Sequence, residues 1–266
     1  MQCACWRSEM IRAAFFDVDG TLLSHKSKSV PESTREALAK LREKGILCII
    51  ATGRQYIQLG KLPVGDIPFD AYITVNGQMT VDGAGRIEDA VPISGVAKDY
   101  LVRCFNDHTF PALFVEADRL YLNYISDHVL SVQEAISTPT PPLGEYTGND
   151  IYQACVYLRP FEEHLLDSIA EESVLSRWTY GGIDVVGKGG GKVRGIQRYL
   201  EEHGISREET IAFGDGENDT EMLRFAGIGV AMGNSEAVTK AAADYVTADI
   251  DEDGLALALK HFGLID

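Results

Sequence analysis

No stretch of this 266-residue chain stays apolar for the ~20 residues a membrane-spanning helix needs; the longest clear run is ILCIIA at 46–51. Basic residues are also scarce. Lys and Arg number 24 against 40 Asp and Glu, and the formal charge of −16 disfavours a nucleic-acid backbone or an anionic membrane surface as partner. Small molecules and metal cations remain. Cysteine is sparse: Cys3, Cys5, Cys48, Cys104 and Cys155 are odd in number and scattered, which fits reduced thiols in a soluble cytoplasmic protein. Cys3 and Cys5 lack a second Cys or His pair nearby, so a frayed terminus is expected in place of a metal site. The first ten residues carry Arg7 and Glu9 and no apolar segment of signal-peptide type, and Met10 is a plausible natural start. His25, His108, His128, His164, His203 and His261 stand at no ligand spacing and are expected at the surface. No G-x-G-x-x-G occurs, and GKGGGK at 187–192 fails as a P-loop because Val186 and Val193 occupy its required Gly and Ser/Thr positions.

What is present alternates in a regular way. Residues 12–18 read as a buried strand, PESTREALAKLREKG as a helix stopped by Gly45, ILCIIA as a strand ending in Thr-Gly-Arg at 52–54, and AYITV as a strand closed by the turn Asn76-Gly77. The alternation returns late, through GKVRGIQRYLEEHG, TIAFGD, NDTEMLRFAG, IGVAM and SEAVTKAAA. Strand and helix in turn imply a parallel sheet with right-handed crossovers. Between lies a different texture: PALFVEA and RLYLNYI suggest a hairpin, STPTPPLGE is proline-rich, and a helix is expected from Phe161. The chain therefore reads as an α/β core (1–86, with 1–10 as a tail, and 187–266) interrupted by an α+β cap at 87–186. The cap aromatics Phe114, Tyr121, Tyr124, Tyr152 and Tyr157 are expected mainly in its core.

Four polar clusters fall at the ends of the parallel strands: Asp17 with Asp19, Thr52 to Arg54, Lys192, and GDGEND at 214–219. Ligands of open α/β sheets bind at the carboxyl ends of strands. Asp17 and Asp19, two residues apart, project from one side of an extended backbone and repel. Unit charges 4 Å apart cost about 4 kcal/mol at an effective dielectric near 20, so Asp17, Asp19, Asp215 and Asp219 call for a divalent cation. Oxygen-only ligands favour Mg²⁺, which commonly keeps waters and substrate phosphate oxygens in its shell. A carboxylate can itself attack phosphorus while a second protonates the leaving oxygen and later activates water. Asp17 is the candidate nucleophile and Asp19 the acid/base. The Thr52 hydroxyl and Gly53 amide can bind phosphoryl oxygens, and Lys192 can offset their charge.

DVDGT, TGR, the late lysine and GDGEND, in this order, resemble the four motifs of the haloacid dehalogenase superfamily of phosphatases. The span from about 12 to 262, with its closing VAMGNSEAVTKAAADYVT, resembles the Cof-type subfamily with a type IIB cap and a Rossmann-like core. The resemblance implies an aspartyl-phosphate on Asp17 and a Mg²⁺ held by Asp17, the main-chain carbonyl of Asp19 and Asp215. It implies Asp219 as a direct or supporting metal residue, and Asn218 at the phosphate or a metal-bound water. The family often has Ser-Lys-Gly at its third motif, whereas GKGGGKVRG here offers Lys188 and Lys192. Lys192 opens an amphipathic helix, while Lys188 precedes three glycines that would hold it poorly. The expected activity is hydrolysis of a small phosphorylated metabolite, by resemblance a sugar phosphate. Its rivals are phosphomannomutase-like transfer on the same fold and a non-catalytic metal-binding regulator.

Overall fold

The computed structural model describes residues 11–136 and 138–266, so the readings made for Cys3, Cys5, Met10 and the tail lie outside the described residues. β1 (Ala13–Phe16), α1 (Glu32–Glu43), β2 (Leu47–Ala51), α2 (Tyr56–Leu59) and β3 (Ala71–Thr74) alternate as expected, and β4 (Met79–Asp82) and β5 (Ile87–Ala90) follow through turns. The insertion holds α3 (Gly95–Asn106), β6 (Ala112–Val115), β7 (Leu120–Leu122), α4 (Asp127–Ala135), β8 (Gln153–Val156), β9 (Ser173–Thr179) and β10 (Gly182–Gly187). The chain then returns through α5 (Lys192–His203), β11 (Thr210–Gly214), α6 (Thr220–Phe225), β12 (Ile228–Ala231), α7 (Ala237–Lys240), β13 (Tyr245–Val246) and α8 (Gly254–His261).

The larger sheet runs β13-β12-β11-β1-β2-β3-β4-β5. Its strands from β13 to β3 are parallel, and β4 and β5 extend it antiparallel. Residues 87–90, expected to open the cap, therefore pair with the core sheet. Their sequence IEDA is largely exposed, and so lacks an apolar pattern that would assign it to either sheet. Helices cover both faces because the central strands are buried on both: Ala14 and Phe16 join one cluster with Leu38, Leu41 and Leu259, while Ala13 and Phe15 join another with Ile196 and Met222. In α1, Thr34, Ala37, Leu38 and Leu41 are buried at helical spacing.

The smaller sheet runs β7-β6-β8-β10-β9 and is antiparallel throughout. One face packs Phe114, Ala154 and Val185 against α3 and a 3-10 helix at Pro160–Ile169, the latter standing where an ordinary helix was expected from Phe161. The other face packs Leu113, Val115 and Tyr157 against α4 and against Val75, Met79 and Val81 of the core. Phe114, Tyr121 and Tyr157 are buried, whereas Tyr124 and Tyr152 are half-buried. His128 is half-buried too, contrary to its expected surface position, because it lies against Gly181, whose added Cβ would come within 2.6 Å of its ring. The other five histidines are exposed. Cys48, Cys104 and Cys155 are buried free thiols, and no helix among the described residues is long and apolar enough to cross a membrane.

Candidate active site

β1 lies between β11 and β2, and its parallel register sets Phe16 beside Phe213 and Ile50. The next residues along these strands bring Asp17, Thr52 and Asp215 to one edge of the sheet, where the chain leaves β1 in one direction and returns at β11 on the other side. This is the switch-point crevice of an open α/β sheet. The loop after β1 turns sharply at Gly20, whose φ is +89°; a Cβ there would lie 2.1 Å from Asp215 Oδ2. Only glycine permits that approach.

Lys192, at the first turn of α5, is 3% exposed, and its Nζ donates at 2.6 Å to Asp17 Oδ1 and at 2.6 Å to Asp219 Oδ1. Asp219 is fully buried and its second oxygen accepts from the backbone amides of Asp215 and Gly216. Its carboxylate thus fixes both the lysine and the loop that carries Asp215. Thr21 Oγ1 donates to Asp215 Oδ1 at 3.1 Å, and Asn234 Nδ2 lies 3.3 Å from Asp215 Oδ2. Asp19 points elsewhere: its carboxylate is held in a bidentate pair by Arg54, with Nε at 2.6 Å and Nη2 at 2.7 Å.

Asp17, Asp215 and Asp219 each offer an oxygen within 4.8 Å of the others. Burial pushes the Asp17 carboxyl well up, Lys192 draws it back, and the neighbouring Asp219, Asp215 and Asp19 raise it again. Asp215 is pushed up to about 7 by burial and by Asp219. Lys192 is held protonated by its two carboxylate partners in spite of its burial. One buried ammonium does not balance these carboxylates, and their all-oxygen donor set suits a hard divalent cation.

The structure brings together Asp17, Lys192, Asp215 and Asp219, with Thr52 and Gly53 at the end of the adjacent strand. Thr52 is buried, and its Oγ1 accepts from the Arg54 amide at 3.2 Å. Asn218 is exposed, with Nδ2 3.5 Å from Asn76 Oδ1. Lys188 lies apart, its side chain 66% exposed and 3.5 Å from Glu172. Of the four carboxylates expected in the crevice, Asp17, Asp215 and Asp219 converge, whereas the side chain of Asp19 is engaged by Arg54. In the sequence Arg54 has no assigned role and Asn76 marks only a turn. Asn76 in fact reaches the cap, donating to Asp184 Oδ2 at 2.9 Å and Gln153 Oε1 at 3.1 Å. A cation directly after the Thr-Gly pair was a usable signal for Arg54; nothing local marks Asn76.

The profile of the haloacid dehalogenase-like hydrolases matches residues 14–259. The chain belongs to this family. Its relatives include the 5-amino-6-(5-phospho-D-ribitylamino)uracil phosphatase YitU of Bacillus subtilis, 30% identical over 262 residues that cover 92% of this chain and 95% of that protein. The pyridoxal phosphate phosphatase YbhA of Escherichia coli is 30% identical, with coverage of 92% and 96%. Among solved structures, the subclass IIB sugar phosphatase BT4131 superposes with a TM-score of 0.84 at 35% identity, over 96% of this chain and all of that one. The protein is a Cof-type phosphatase of the haloacid dehalogenase superfamily, with a Rossmann-like core and an inserted cap. Phosphatases of the superfamily generally use a divalent metal.

Proposed function

We propose that the protein hydrolyses the phosphate monoester of a small polyhydroxylated metabolite, through a phosphoryl group carried transiently on Asp17. The observation that carries this reading is the position of Asp17: a buried carboxylate at the switch-point crevice, 2.6 Å from Lys192. Asp17 attacks phosphorus in line, and Lys192 offsets charge on the phosphoryl oxygens. Asp19 is the acid/base on this reading, and to give a proton to the leaving oxygen and then remove one from the attacking water its carboxyl has to leave the bidentate pair in which Arg54 holds both of its oxygens. Thr52 and Gly53 bind the phosphoryl group from the end of β2, and Asn218 does so from beside Asn76. Mg²⁺, held by Asp17, Asp215 and the Asp19 carbonyl, would supply the remaining positive charge. Asp219 serves here as a support, since Lys192 and two backbone amides already occupy its oxygens.

A cavity of about 250 Å³ adjoins Lys192 and Asn218, between core and cap, and gives the leaving group its place. The sugar phosphatase and the ribityl and pyridoxal phosphate phosphatases among the relatives support a small phosphorylated substrate. The free thiols of Cys48, Cys104 and Cys155 fit a cytoplasmic location. The test is release of inorganic phosphate from a panel of phosphorylated metabolites with Mg²⁺. Wild-type release and its loss in Asp17→Asn support the proposal; transfer to a second sugar hydroxyl without phosphate release would make the protein a mutase.

A further inference from the structure

The cavity beside Lys192 has a lopsided charge. It is walled by Val174, Leu175 and Val186, and its polar lining includes Asp184, Glu217 and Glu221. None of these three carboxylates makes an ion pair among the described residues. The two cations on the wall are both spent. Lys192 is clasped by Asp17 and Asp219. Arg177 is paired with Glu163 at 2.8 Å, and its Nη1 is used by the carbonyls of Leu158, Thr179 and Tyr180. Glu221 stands close to the loop that leads into Lys192, since a Cβ on Gly191 would lie 3.6 Å from its Oε2. A leaving group that extends from the phosphoryl site into this space meets acceptors and unpaired negative charge, with no cation free to receive an anion.

We infer that Asp184, Glu217 and Glu221 set the specificity for the leaving group: the cavity favours phosphate esters whose leaving group carries an ammonium, accepts neutral polyols, and rejects a second negative charge. The inference rests on the reading of this crevice as the phosphatase site. A carboxylate within several ångströms of three like charges is repelled, and the low-dielectric walls of a cleft strengthen that repulsion. An ammonium at the same place is attracted, and its N–H groups find acceptors.

Two matched pairs with one phosphate position isolate the charge: glucosamine 6-phosphate against glucose 6-phosphate, both cyclic, and 6-phosphogluconate against glucitol 6-phosphate, both open-chain. Each is measured at neutral pH with Mg²⁺, as a substrate by kcat/KM and as an inhibitor of p-nitrophenyl phosphate hydrolysis, so slow turnover of a probe still yields its place in the order. Each taken relative to its neutral partner, the amine is expected to exceed the acid by at least about tenfold, and added salt should narrow the spread. The double variant Glu217→Gln, Glu221→Gln removes two exposed carboxylates and should shrink the amine-to-acid ratio severalfold. An acid that, relative to its neutral partner, binds or reacts as well as the amine does relative to its own, or a ratio unmoved in the double variant, would overturn the inference while leaving the phosphatase reading intact. Hydrolysis of p-nitrophenyl phosphate by Asp17→Asn at the wild-type rate would overturn that reading, and the inference with it.

Discussion

At the scale of the residue, the site is a problem in charge. With Asp17 as the proposed nucleophile, Asp17→Asn should abolish turnover with the fold retained, and Asp19→Asn should lose at least ~100-fold, the lower range of acid/base catalysis; phosphate release and circular dichroism check both. Lys192 and Lys188 make a sharper pair. Lys192→Ala removes a buried ammonium 2.6 Å from Asp17 and should cost about 3 kcal/mol of transition-state stabilisation. Lys188→Ala removes an exposed surface pair and should cost little in kcat/KM. The crowded carboxylates also fix the sign of a pH effect. Asp215 is raised from 3.8 to about 7, so without a cation the folded state holds a proton there that the unfolded chain has already lost. That contribution to stability is present below pH 4 and is lost as pH rises toward and through 7. A bound cation needs the ionised carboxylate, so stabilisation by excess Mg²⁺, read as a thermal shift, should be larger at pH 8 than at pH 5.5. An equal shift at both values would detach Asp215 from the cation.

At the scale of the element, the sequence was legible where local pattern and site coincide. The strand-end placement of Asp17, Thr52 and Asp215 followed from alternating buried strands and amphipathic helices, and Lys192 from the apolar spacing of α5, where Gly195, Ile196, Tyr199 and Leu200 are buried behind it. What was illegible depends on contacts far apart in the chain. Arg54 meets Asp19 across 35 residues and Asn76 meets Asp184 across 108, distances at which neither periodicity nor turn chemistry carries information. The turn after β3 shows this well. Val75, Asn76 and Gly77 all have positive φ, at 54°, 50° and 83°, although a β-branched residue strongly disfavours that region. From this turn the Asn76 side chain reaches the cap. Asn76→Gly keeps a residue suited to the backbone and removes the tie to Gln153 and Asp184; kcat/KM on a natural-size ester is expected to fall about tenfold, with KM raised more than kcat is lowered. An unchanged KM would show that this contact does not position the cap.

At the scale of the whole molecule, the proposed reacting groups all lie on the core, and core and cap together wall the cavity we assign to the leaving group. The two are not independent, because one face of the cap sheet buries Val75, Met79 and Val81 of the core. On the inference drawn above, two-part construction of this kind would let the acid side of the cavity, on both core and cap, choose among esters while the strand ends keep one chemistry. The chemistry we propose is a double displacement at Asp17, and the stereochemical course at phosphorus tests it most directly. With a substrate made chiral by oxygen isotopes and hydrolysed in isotopically labelled water, two successive in-line transfers give net retention of configuration, the predicted result. Net inversion, the outcome of a single direct attack by water, would contradict a phosphoryl group carried on Asp17.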